Sequence, residues 1–110
     1  HSDRRTIYLL NTDWASDQDQ RPATFIYKGK KFPVVVRRYH IETIHCADGL
    51  AVMPASNTTD ILSVCKKENG WVVKVQTTGN DVVQCMNAVT GKVEPIKFDE
   101  PGVHEVFVNE

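Results

Sequence analysis

The side chains able to do chemistry are few and scattered. His40, His45 and Cys46 are the one cluster of soft metal ligands. Zinc holds its ligands about 2 Å from one atom. On an extended strand, residues five apart point to opposite faces, so His40 and His45 diverge. His40 and Cys46 share a face but lie roughly 20 Å apart along such a strand. A zinc site here needs a bend or a distant partner such as His104. A cysteine–histidine catalytic pair meets the same obstacle, because nucleophile and base must lie within hydrogen-bond reach. No catalytic residue, metal ligand set or cofactor is therefore expected.

The stretch from Asn11 to Pro22 is polar and acidic, and Asp13, Asp17 and Asp19 bring three carboxylates close together in it. Calcium takes about six to eight oxygen ligands, and a flexible loop can supply some of them. The glycine and distal glutamate of an EF-hand are missing, so a solvated loop is the better reading. Trp14 stands alone among these polar residues. An indole there can stack on the aliphatic face of a sugar ring, with Tyr39 as a second aromatic. The ligand-binding candidates are thus Trp14, Asp13, Asp17, Asp19 and Tyr39. The competing reading of Trp14 is a plug for the end of its own domain. Glu42, Asp60, Glu94 and Glu105 could pair as glycosidase carboxylates, but nothing in their spacing shows that any two converge, and solvated surface acids are the better reading. No phosphate loop, nucleophile elbow or zinc-protease motif occurs. Asn57-Thr58-Thr59 is a glycosylation sequon.

The elements that must position these residues are short β runs. Ile7–Leu10, Phe25–Tyr27, Val34–Val36, Ile41–Ile44, Ile61–Val64, Trp71–Val75, Val82–Met86, Val93–Phe98 and Val103–Val108 read as strands, and turn residues fill the gaps. Gly29 supplies the positive φ of a tight turn between the second and third runs. Asp48-Gly49 turns the chain into Leu50–Met53, which Pro54 stops. Asn69-Gly70 marks another hairpin. Pro33 and Pro95 argue for edge positions. The pattern predicts an all-β fold, an antiparallel β-sandwich of about eight or nine strands, immunoglobulin-like or jelly-roll-like. Its core is expected to hold Leu9, Phe25, Val34, Val36, Ile41, Ile44, Leu62, Val64, Trp71, Val73, Val75, Val83, Cys85, Ile96, Val106 and Val108.

At 110 residues the chain forms a single domain, 1–110, large enough to fold without metal or disulfide. It opens on His1-Ser2-Asp3 and reads as one module of a longer polypeptide. Thirteen basic against fourteen acidic residues leave a charge of −1, so no nucleic-acid partner is expected. The basic pairs Arg4-Arg5, Lys30-Lys31, Arg37-Arg38 and Lys66-Lys67 sit beside turns, where they protect strand ends. No apolar run approaches the ~18–20 residues that cross a bilayer, so no membrane insertion is expected. Cys46, Cys65 and Cys85 are odd in number and form no C-x-x-C pair. They read as small core residues, with one disulfide and a leftover thiol as the alternative.

Two stretches carry a resemblance. One is Ile7-Tyr8-Leu9-Leu10-Asn11-Thr12-Asp13-Trp14 with Arg21-Pro22-Ala23-Thr24 and the Lys28-Gly29-Lys30 hairpin. The other is Val93–Phe98 with Glu100-Pro101-Gly102-Val103-His104. Together they resemble the accessory β-sandwich domains of bacterial glycoside hydrolases. The resemblance implies a non-catalytic module partnered by the catalytic domain of the same polypeptide, with glycan contact as a secondary role. It carries over no functional residue. Such a module should keep an apolar patch on one face. Alternatives are a free-standing carbohydrate-binding module stacking sugars on Trp14 and a tyrosine, an immunoglobulin-like interaction domain, and a small enzyme using His40, His45 and Cys46.

Overall fold

The computed structural model describes residues 6–10, 20–37, 42–55 and 58–110. Ten strands cover most of them: β1 Thr6–Leu10, β2 Gln20–Tyr27, β3 Lys30–Arg37, β4 Glu42–Ala47, β5 Leu50–Pro54, β6 Asp60–Lys67, β7 Gly70–Thr78, β8 Asp81–Asn87, β9 Val93–Phe98 and β10 Pro101–Asn109. There is no helix among the described residues, and every strand pairing is antiparallel. The fold is an all-β antiparallel sandwich.

Three sheets form it, ordered β1-β4-β5-β8-β9, β10-β7-β6 and β2-β3. The five-stranded sheet is the central layer. Alternate residues along its strands leave for opposite faces. Leu50 and Val52 of β5, with Val83 and Cys85 of β8, pack against Ile61, Val64, Trp71, Val73, Val75 and Val108 of the three-stranded sheet. Ala51, Met53, Met86, Ile44 and Cys46 leave the other way and pack under Phe25, Tyr27, Phe32 and Val34 of the hairpin. An antiparallel sheet usually shows one face to water. This one is covered on both, which explains why β5 is a continuous apolar run buried at every position. Burying each large apolar side chain contributes about 1.5–3 kcal/mol.

The turns follow from backbone chemistry. Lys28 and Gly29 (φ 51° and 80°) and Asp48 and Gly49 (φ 48° and 104°) are two-residue hairpin loops with positive φ at both positions. The third hairpin turns at Glu68-Asn69, and Gly70 already belongs to β7. Gly70 is needed for close approach instead: a Cβ there would collide with the Val108 carbonyl oxygen and the Phe107 ring.

Most of the expected core is buried, including Phe25, Val34, Val36, Ile44, Val64, Trp71, Val73, Val75, Val83, Cys85 and Val108. Ile96 and Val106 are half-buried at its rim. Leu62 departs from expectation. The β6–β7 register shifts between Ile61 and Ser63, so Ile61 turns inward and Leu62 outward. The side chain of Leu9 and all of Ile41 lie outside the described residues.

Candidate functional site

Trp14, Asp13, Asp17, Asp19 and Tyr39 lie outside the described residues, as does His40. The rest of the sequence candidates have definite places. His45 is buried and pairs in register with Val52, on the face toward the three-stranded sheet. Cys46 faces the hairpin. Neighbours on one strand, they point apart, as the strand geometry requires. Among the described residues no group of three or more His, Cys, Asp or Glu side chains converges as a metal site.

Cys46 and Cys85 also occupy opposite faces of the central sheet, and all three cysteines are free. Burial pushes the Cys46 thiol up to about 12. Burial, aided by the charge of Glu94, does the same for Cys85. Both stay protonated and unreactive at neutral pH. Cys65 lies on the exposed outer face of β6.

Asp60, Glu94 and Glu105 are exposed on three different strands. Among the described residues the buried carboxylate is Asp81, at the head of β8. Burial raises its pKa, but hydrogen bonds outweigh that and hold the acid below its usual range. The donors are Thr78 N–H at 3.0 Å, the Thr58 hydroxyl at 2.9 Å and the Thr59 hydroxyl. These ties reach the backbone at the end of β7 and the hydroxyls of the segment before β6, so Asp81 staples the β7–β8 turn to that segment. Thr59, the hydroxyl residue of the sequon, is buried in the same cluster.

Trp71 is fully buried. Its indole Nε1–H finds no acceptor among the described residues. The Lys66 ammonium lies 5.1 Å from its ring centroid. It serves the core and offers no stacking platform.

What the structure assembles is an apolar surface. On the outer face of the hairpin, Pro22 stands opposite Val35, Thr24 opposite Pro33, and Ile26 opposite Lys31. Ile26 is 61% exposed and Val35 47%. Segment 20–37 contains Arg21, Lys28, Lys30, Lys31 and Arg37 and no acidic residue, so the rest of this chain is net acidic. The inner face anchors the layer. Phe25, Phe32, Val34 and Tyr27 are buried, Tyr27 OH accepts from Gly49 N–H at 3.1 Å, and Gln84 Nε2 donates to Pro33 O at 3.0 Å.

Ile26 and Val35 escape the strand pattern because they lie inside the apolar triplets Phe25-Ile26-Tyr27 and Val34-Val35-Val36, where alternation gives no inside or outside. The signal that could have marked them is the unbroken triplet itself, on a hairpin with Pro22, Pro33 and one sign of charge. No protein family model, curated protein or solved structure matches the chain.

Proposed function

We propose that the chain is a non-catalytic accessory module of a polysaccharide-degrading enzyme, docked on the catalytic domain of its own polypeptide through the outer face of the β2–β3 layer. The observation that carries the reading is the exposure of Ile26 and Val35 beside Pro22, Pro33 and Lys31 on one face. Contiguous apolar surface rimmed by charge marks an interaction site. The one-signed basic rim favours an acidic partner surface. The resemblance of the flanking sequence to accessory sandwiches of glycoside hydrolases supplies the partner class.

The test pairs two assays. A glycan array is probed with the wild-type chain and Trp14→Ala, and the parent catalytic domain is titrated against wild type and Ile26→Glu/Val35→Glu. The expected result is a silent array and a docking affinity that falls at least tenfold in the double variant. Glycan binding lost in Trp14→Ala would replace docking by sugar recognition in the Asn11–Pro22 segment. Unchanged docking in the double variant would overturn the choice of face.

A further inference from the structure

Sheet edges invite pairing unless something blocks them. Among edge strands whose side chains are described, β2 carries Pro22, β3 Pro33, and β9 Pro95 with Lys97. β6 has its register shift and Lys66-Lys67. Between Val103 and Asn109, β10 carries no proline, no lysine and no register shift, and its one charged residue, Glu105, faces Lys74 of β7. It pairs with β7 in an unbroken register from Pro101 to Asn109, and no strand among the described residues covers its other side.

The backbone shows which groups that free side offers. Glu110 N–H donates to Asn69 O at 3.1 Å, extending the register one step beyond Asn109–Gly70. Alternate residues of an antiparallel strand face the same neighbour. Glu110, Val108, Val106 and His104 therefore turn their N–H and C=O toward β7. The Val108 carbonyl at Gly70 agrees with this. Val103, Glu105, Phe107 and Asn109 turn theirs to the open edge.

We propose that β10 is a homodimer edge, in which two copies pair antiparallel about a two-fold axis at Val106. In that register Val103 meets the partner's Asn109 and Glu105 meets the partner's Phe107, so every outward N–H and C=O of the four residues is paired. Sliding it one way sets Glu105 against the partner's Glu105 and Pro101, which has no N–H, against Asn109. Glu105 is the one carboxylate between Val103 and Asn109, and Lys74 stands opposite it in β7, so each copy brings its own counter-charge. On the inner face, the partner's Val106 and His104 extend the core over the half-buried rim formed by Val106 and Ile96. The near-zero net charge of −1 leaves no strong repulsion against association. This edge is distinct from the hairpin face, and its test uses the chain alone.

Sedimentation equilibrium of the wild type should show the mass rising with concentration from 12.4 kDa to twice that. Glu105→Pro and Phe107→Pro each remove an outward N–H and no bond to β7. Both should stay at 12.4 kDa while keeping β-sheet circular dichroism. Should the proline variants fail to fold, cross-linking decides. On a Cys65→Ser background, Val106→Cys occupies a non-hydrogen-bonded pair about 4.5 Å apart between Cα atoms, within disulfide range. It should form a disulfide dimer on oxidation, whereas Glu105→Cys should not. A monomeric wild type at every concentration overturns the proposal. So does a dimer that persists in folded proline variants, or equal cross-linking at both positions.

Discussion

The two layers that cover the central sheet are built differently. The three-stranded sheet brings β7 as a central strand, with Trp71, Val73 and Val75 fully buried and partners on both sides. The hairpin has two strands, both edges, and each is interrupted by a proline. A lone two-stranded hairpin is marginal in water. The β2–β3 layer is therefore held by what it buries on the central sheet, while the three-stranded layer is part of the fold's cooperative core. Both layers show apolar residues to solvent, Ile26 and Val35 on the hairpin and Leu62, Val103 and Phe107 on the three-stranded sheet, and only on the hairpin do they lie in a segment with five basic residues and no acidic one.

The sharpest break in this comparison is Trp71→Ala, which removes the largest side chain of the first core. Its expected cost is about 3–5 kcal/mol, read as a shifted urea midpoint for the whole domain. Phe32→Ala deletes the central anchor of the hairpin, 1% exposed, and on transfer and cavity grounds also costs about 3–5 kcal/mol locally. Its global midpoint should move less than that of Trp71→Ala, because the layer can lift before the sandwich unfolds. Equal midpoint shifts would mean that the two covers unfold as one.

Smaller effects refine the same contrast. Tyr27→Phe leaves the buried Gly49 N–H without its side-chain acceptor, at a cost of about 1–3 kcal/mol, and should speed exchange in β2 and β3 before β7. The thiols give a pH signature. Cys46 and Cys85 have folded pKa values near 12, above the usual 9.0, so the folded state holds their protons longer. Their contribution is complete below pH 9 and is lost as pH rises toward 12. Cys46→Ala and Cys85→Ala should each make the alkaline fall of the urea midpoint shallower. Asp81 works in the opposite sense: its lowered pKa contributes stability above the usual carboxylate range, lost on acidification.

Much of this fold can be read in the sequence where one face of a strand is wet. β7 alternates cleanly, and Trp71, Val73 and Val75 are buried as that alternation requires. Legibility fails where both faces are dry or the ladder slips. β5 is apolar throughout because it is sandwiched twice, so period two disappears from Leu50–Met53, and the nine strand runs become ten strands. The slip after Ile61 exchanges it with Leu62, a backbone event with no side-chain signature. The hairpin's exposed face is hidden for another reason: it is wet but apolar, since Ile26 and Val35 sit between residues equally apolar. The aromatic and acidic candidates of the Asn11–Pro22 segment, together with Tyr39, fall outside the described residues.

Native-state hydrogen exchange, resolved by residue, tests the central claim of unequal covers most directly. The expected result is that the hydrogen-bonded amides of β2 and β3 exchange through an opening of lower free energy than those of β7, which exchange only on global unfolding. A single opening free energy shared by β3 and β7 would contradict it, and would make the hairpin an integral part of the core.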